Sequence, residues 1–353
     1  MFSVDVLPAQ RGDCLWITYG EDDDLHHVLV DAGPQDTIPT LVPVLEARLA
    51  ELGTSRRTSR VELLVITHVD ADHIQGVASL LSDSRRVTWF RDVWLNGWKQ
   101  LGLLGSKDGE MVTRSLDAYP KRWNAAFGAG PAVVPDEGPL PKRVLAGGLE
   151  LTVLAPSKER LELLTPVWEE TCRKAGIVPG EGGEVPKTYR RAGFLGWDPD
   201  LLSEARFTDD RTVPNGSSIA LVATYQGRSL LLTGDAPAKS VLAGLDRLGP
   251  GAHEFAAVKV SHHGSKNNTS LDLCRRIRAK NWLISTNGAQ FKHPHPECLA
   301  RIVVTQQKPV FHLNYVTDFT TDLIEGAGER YSVRLPRRLP DGSYSEGITV
   351  RLH

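Results

Sequence analysis

Val61-Glu-Leu-Leu-Val-Ile-Thr67 runs directly into His68-Val69-Asp70-Ala71-Asp72-His73-Ile74-Gln75-Gly76. The first seven positions are almost wholly apolar, the pattern of a strand covered on both faces. The periodicity over Ile74–Leu81 predicts a helix on the far side of the histidines and aspartates. Between strand and helix, four metal-ligand side chains fall within six residues. His68 and Asp70, two apart in an extended turn, can point together toward one ion. Asp72 and His73, at the helix start, can face a second ion beside it. Imidazole and carboxylate are ligands of Zn²⁺ and Mn²⁺, and packing them this densely is costly unless a cation neutralises them. A solvated surface cluster is the plainer reading, and a buried strand feeding straight into the motif argues against it.

Working outward, short β-rich runs recur at Cys14–Tyr19, Val28–Val30, Val93–Leu95, Leu149–Leu154, Ile219–Tyr225, Ser229–Thr233, Ala256–Val260 and Asn281–Ser285. Helical periodicity covers Thr37–Leu52, Ala236–Leu248 and Leu271–Ala279. Strands interleaved with helices predict a layered α/β architecture, and Gly227–Arg228 reads as a hairpin turn. Gly102–Pro141 and Ser157–Pro214 are rich in glycine, proline and charge, and read as insertions into a single domain spanning 1–353. The second contains the basic stretch Lys187–Arg191, either a solvated loop or a substrate-contacting one.

Three further motifs sit just beyond strand ends. Asp235 follows Leu230-Leu-Leu-Thr-Gly234, where it can bridge two metals or simply cap the next helix. His262-His263-Gly264-Ser265 follows Ala256–Val260. The pair can supply one ligand and one supporting or substrate-contacting group, or be turn histidines with local partners. His293-Pro294-His295-Pro296 follows Asn281–Ser285 and is the least specific of the set. Open α/β sheets place ligands beyond strand ends, so the four motifs together predict one shared metal site.

The 353-residue chain is 41% hydrophobic and 24% charged, with a formal charge of −2. That balance excludes a polycationic protein, so any nucleic-acid binding must come from a local patch. Cys14, Cys172, Cys274 and Cys298 are scattered with no Cys-x-x-Cys pair, which argues against a disulfide framework or thiolate zinc site. No signal peptide or membrane span is read, and a cytoplasmic location is expected.

These motifs resemble the metallo-β-lactamase superfamily: Asp31-Ala-Gly33 as its first motif, His68 to His73 as its second and Asp235 as its fourth. The resemblance is strongest to the hydrolase domain of ComEC-type DNA-uptake proteins. It is carried by the His-x-Asp-x-Asp-His form, Asn215-Gly-Ser-Ser218, Leu231-Leu-Thr-Gly-Asp235, Lys259-Val-Ser-His-His-Gly-Ser265 and His293-Pro-His-Pro-Glu297. It implies an αββα sandwich of two mixed β-sheets flanked by helices, one or two divalent ions (Zn²⁺ or Mn²⁺), and hydrolysis by an activated water. DNA import is not implied, since the membrane segments of those proteins are lacking. Two departures matter: Asp70 stands where most members carry histidine, and Asn215 stands where a third-motif histidine is expected. Fewer nitrogens at the His68 side imply weaker binding or a preference for Mn²⁺.

With the resemblance, His68 and Asp70 are assigned to one ion, Asp72, His73 and His263 to the other, and Asp235 bridges. Which of His262 and His263 is the ligand stays open. Asp72, His262, Lys259 and His293 are the candidates for catalytic roles, Lys259 and His293 as stabilisers of anionic charge. A phosphodiesterase or nuclease is expected, acting on DNA, RNA or a small phosphoester. The basic pairs Arg85-Arg86, Arg275-Arg276 and Arg337-Arg338, with Arg278 and Lys280, suit a polynucleotide and equally a solvated helix face. The alternatives are an esterase or lactonase of the same fold, a non-catalytic binding module, or the hydrolytic effector of a system with protein partners.

Overall fold

The computed structural model describes residues 1–21, 23–54, 61–97, 107–164 and 197–352. Cys172 and the basic stretch Lys187–Arg191 lie outside the described residues, as do parts of both expected insertions. Two mixed sheets form the centre. The first has six strands in the order β14-β1-β2-β3-β4-β5. They are β1 (Phe2–Val6), β2 (Leu15–Glu21), β3 (Asp24–Val30), β4 (Val61–Val65), β5 (Phe90–Trp94) and β14 (Ile348–Arg351). The second has eight, ordered β13-β12-β11-β10-β9-β8-β7-β6. These are β6 (Lys142–Val144), β7 (Glu150–Ala155), β8 (Ala220–Tyr225), β9 (Arg228–Leu232), β10 (His253–Lys259), β11 (Ile277–Ile284), β12 (Val310–Leu313) and β13 (Ser332–Arg334).

Each sheet follows the same plan, an antiparallel meander that turns into parallel strands. In the first, β1, β2 and β3 alternate in direction and β4 and β5 continue parallel. In the second, β7, β8 and β9 alternate and β10, β11 and β12 continue parallel. Parallel neighbours need crossovers, and the helices supply them. α1 (Ile38–Thr54) joins β3 to β4, and α2 (Ala71–Leu81) leads from β4 toward β5. α3 (Lys107–Asp117) follows β5, α4 (Ala238–Leu248) joins β9 to β10, and α5 (Pro296–Thr305) joins β11 to β12.

The apolar run at 61–66 shows how the layers are built. Leu63 and Val65 join a core shared with Ile17, Val30, Leu221 and Leu232, where the two sheets meet. Leu64 and Ile66 join a second core with Leu41 and Leu45 of α1 and Ile74 and Val77 of α2. Alternation puts successive side chains on opposite faces, so a strand apolar at every position is covered twice. Val241 and Leu245 of α4 and Leu299 and Ile302 of α5 complete the apolar cover of the second sheet. The αββα sandwich of two mixed β-sheets flanked by helices is the architecture observed. Among the described residues, no helix is long and apolar enough to cross a membrane.

Several boundaries move. The helix expected over Leu271–Ala279 ends at Arg276, and Ile277 already opens β11. β-branched Ile277 pairs with His253 across the parallel ladder, so sheet pairing overrides the weak helical periodicity of 277–279. The hairpin turn is Gln226–Gly227, with φ of 46° and 74°, closing Tyr225 against Arg228. Two positive φ values are what a two-residue hairpin of matching twist requires. Cys14, Cys274 and Cys298 are free and buried.

Two outcomes follow. Gly76 of α2 passes so close to the first-motif loop that a Cβ there would stand 2.0 Å from the Ala32 carbonyl oxygen. Gly76→Ala should therefore lower stability by about 3 kcal/mol, read from the urea midpoint, whereas an exposed helix glycine would gain from alanine. His27 is buried beside Thr18 and Trp16, and burial, then repulsion from Arg48, pushes its pKa down to about 4. Its folded value lies below the unfolded value of about 6.5, so the unfolded chain binds the proton first and stability falls between those limits as pH drops. Between pH 7 and 4.5 the wild type should lose about 2 kcal/mol more than His27→Gln; equal losses would remove His27 from the acid response.

Candidate metal centre

The centre lies beyond the strand ends of both sheets. After β4, Thr67 and His68 continue the chain to the N-terminus of α2, which carries Asp72 and His73. The loop after β3 supplies Asp31, and the loop between β1 and β2 supplies Asp13. From the second sheet, Asp235 follows β9, His262 and His263 follow β10, and Ser285 follows β11. Gly234 turns the chain with φ of 50°, and a Cβ there would meet the Thr67 side chain at 3.1 Å. Asp31, His262 and His263 hold φ of 56°, 47° and 54°. Non-glycine residues in that region cost about 1–3 kcal/mol each and persist where the surroundings over-determine them.

One carboxylate oxygen organises the set. Asp235 Oδ2 stands 3.9 Å from His68 Nε2, 3.4 Å from His73 Nε2, 3.6 Å from His262 Nε2 and 3.6 Å from His263 Nε2. Two more carboxylates approach from the α2 side. Asp70 Oδ2 is 3.7 Å from His68 Nε2, and Asp72 Oδ2 is 3.6 Å from His263 Nε2. The predicted residues His68, Asp70, Asp72, His73, Asp235, His262 and His263 are thus brought together.

The opposite ring nitrogens decide the chemistry. His73 Nδ1 donates to Asp31 Oδ2 at 2.8 Å, and His263 Nδ1 donates to the Ser285 carbonyl at 2.9 Å. The Thr67 hydroxyl gives its hydrogen to Asp31 Oδ2 at 2.7 Å, so at 3.0 Å it accepts from His68 Nδ1. Asn268 uses its amide hydrogens on Asp210 and the Asp235 carbonyl, so its Oδ1 accepts from His262 Nδ1 at 3.0 Å. With each Nδ1 serving as donor, a neutral ring presents a bare Nε2 lone pair to the centre. Burial, then repulsion from His73, pushes His68 down to about 3 and keeps it neutral.

His73 Nε2 and His263 Nε2 face each other at 3.3 Å, and neither His68 Nε2 nor Asp235 Oδ1 has a hydrogen-bond partner. A buried polar atom without a partner is expensive, and neutral imidazole and carboxylate are the donors a divalent cation takes. Burial opposes charge on His263, yet Asp235 and Asp13 raise it to about 9. Positive charge is favoured at this point, as a proton or as a metal ion. The donor set fits a metal.

Lys259 and His293 are placed differently. Lys259 is fully buried, its ammonium 2.7 Å from Asp13 Oδ2 and 2.9 Å from the Val260 carbonyl. His293 is buried with its ring 5.2 Å from that of His262, and its Nδ1 is without a partner. Asn215, standing where a histidine was expected, donates from Nδ2 to Asp210 at 2.6 Å, and that nitrogen lies 3.2 Å from His262 Nδ1.

Sequence reasoning did not single out Asp13, Asp210, Asn268 or Ser285. Asp13 offers a carboxylate oxygen within 4.8 Å of donor atoms on His73, Asp235 and His263. Its one sequence signal was the Gly12-Asp13 pair just before a strand, whereas Gly234-Asp235 comes just after one. Asp210 fell inside the stretch read as an insertion, where nothing marks it. Two of the three basic pairs are tied to local carboxylates: Arg85 to Asp83, Arg86 to Glu46, Arg275 to Asp272 and Arg276 to Asp246.

No family model matches the chain, and no curated protein matches it. Among solved structures, the chain is similar to Zn²⁺-bound PqqB from Methylobacterium extorquens, at 12% identity and a TM-score of 0.41, covering 99% of this chain and 100% of that one. It is similar also to a diphosphatase of the PhnP family, at 11% identity and a TM-score of 0.35, covering 96% and 84%. A mutant of the CmlA β-hydroxylase aligns at 12% identity and a TM-score of 0.33, covering 98% of this chain and 54% of that one. These likenesses are distant.

Proposed function

We propose that the protein is a metal-dependent hydrolase that cleaves phosphodiesters. The observation that carries the metal reading is the convergence of four imidazole Nε2 atoms on Asp235 Oδ2, each ring anchored from behind through Nδ1. The donors divide into two groups of equal composition that share Asp235. His68, His262 and Asp70 lie on one side, and His73, His263 and Asp72 on the other. Both His262 and His263 are ligands in this reading, and each half offers two nitrogens and two oxygens. That balance suits Zn²⁺ or Mn²⁺ at one or two positions.

When bound, the metal supplies Lewis acidity at the electrophile and acidifies the attacking water. The residues do the rest. Asp31 and Thr67 hold His73 and His68 in one tautomer, while Asn268 and Ser285 do the same for His262 and His263. Asp70, with 43% of its side chain exposed, is the carboxylate at the open rim and is placed to take the proton lost by the water. His293, its ring 5.2 Å from that of His262, would in this reading stabilise the leaving group. The choice of a phosphodiester draws on the resemblance to the ComEC-type hydrolase domain, in particular Lys259-Val-Ser-His-His-Gly-Ser265. The pairing of Arg85, Arg86, Arg275 and Arg276 with local carboxylates favours a short or small phosphodiester over a long duplex lying across the surface.

The protein stripped with chelator and reloaded with Mn²⁺ or Zn²⁺ should hydrolyse bis(p-nitrophenyl) phosphate and short single-stranded DNA. Asp235→Asn should lower kcat at least about 100-fold and release metal during gel filtration. Full activity in the stripped protein would contradict the metal reading. Metal binding without cleavage of any phosphodiester, alongside turnover of a lactone or carboxylic ester, would contradict the substrate class.

A further inference from the structure

Lys259 is a buried cation that the proposed chemistry does not use. It is the last residue of β10 and has no access to solvent. Its ammonium is held by Asp13 Oδ2 at 2.7 Å and by the Val260 carbonyl at 2.9 Å. Asp13 is itself buried, and its second oxygen stands 3.2 Å from His263 Nδ1, the nitrogen whose hydrogen goes to Ser285. A built approach brings it there. A Cβ at Gly12 would lie 1.7 Å from the Asp72 carbonyl oxygen, so only glycine lets the β1–β2 loop pass under the metal-binding turn. A buried ion pair contributes little to stability compared with an apolar pair of the same volume, so its presence calls for another reason.

We propose that Asp13 and Lys259 form a charge clamp that sets the cation affinity of the centre. Asp13 adds negative potential behind His263 and His73, and Lys259 keeps that carboxylate out of the ion's own coordination sphere. Both are positioning residues, acting through His263. The inference rests on the metal reading of the centre. Its signature is a pair of opposite effects. Neutralising Lys259 leaves an uncompensated anion within 4.8 Å of donor atoms on His73, Asp235 and His263, and tightens cation binding. Neutralising Asp13 leaves an uncompensated ammonium and weakens it.

The test measures the Kd for Mn²⁺ by the electron paramagnetic resonance signal of the free ion, using full-length protein stripped with chelator. Lys259→Met should bind at least about tenfold more tightly than wild type, and Asp13→Asn at least about tenfold more weakly. The double variant Asp13→Asn/Lys259→Met should lie within about threefold of wild type, because the two charges leave together. A pair that only holds the fold would lower Tm in both single variants without moving Kd in opposite directions. Weakening in both, or no change in either, overturns the clamp. If the single variants do not fold, the double variant decides: a Kd about tenfold weaker than wild type overturns the proposal. Wild-type protein that binds neither Mn²⁺ nor Zn²⁺ removes the metal reading itself, an outcome distinct from failure of the clamp alone.

Discussion

A single carboxylate oxygen, Asp235 Oδ2, faces four imidazole nitrogens at 3.4–3.9 Å, and the arrangement around it makes sense only with positive charge at the centre. One carboxylate cannot accept four N–H donors at hydrogen-bonding distance. Nor can four bare lone pairs rest against it without repulsion. The rings are not free to turn away, because each is anchored through Nδ1 to a different group: Thr67, Asp31, Asn268 or Ser285. Three of the residues involved, Asp31, His262 and His263, sit in left-handed backbone that an unconstrained chain would avoid. Strain and polar crowding at one point are expected where folding stability has been given up for a preorganised site.

The fold makes this possible by repeating one plan. Each sheet begins as a meander and ends in parallel strands, and parallel strands deliver their following loops to the same edge. β3 and β4 bring Asp31 and the His68–His73 turn from one sheet. β9, β10 and β11 bring Asp235, the histidine pair and Ser285 from the other. Neither sheet alone holds a complete donor set. The apolar core between the sheets, which holds Leu63 and Val65 of one and Leu221 and Leu232 of the other, is therefore also what fixes the spacing of the ligands.

Much of this was legible in the sequence, for physical reasons that also mark its limit. The doubly covered strand at 61–66 announces itself because every position is apolar. The His68–His73 turn announces itself because such density of ligands is costly without a cation. Asp235 and His262–His263 were readable as groups placed just beyond strands. The parts that were missed depend on tertiary approach. β1 and β14 are short strands whose pairing partner lies at the other end of the chain. Asp210 reaches His262 across some 50 residues of sequence, and no local pattern encodes that meeting; Asn268 is near in sequence, but its contact with His262 depends on how the turn after β10 folds back. Lys259 was read as a group that could face a substrate or solvent, because strand alternation gives a side but not what lies there. The structure places Asp13 on that side.

The most direct measurement is a crystal of the protein soaked with Mn²⁺, with anomalous diffraction recorded to locate the ion. The account predicts a peak beside Asp235 Oδ2 with imidazole Nε2 atoms at about 2.0–2.2 Å. A fully ordered centre with no peak there, and manganese found only on surface carboxylates, would contradict it.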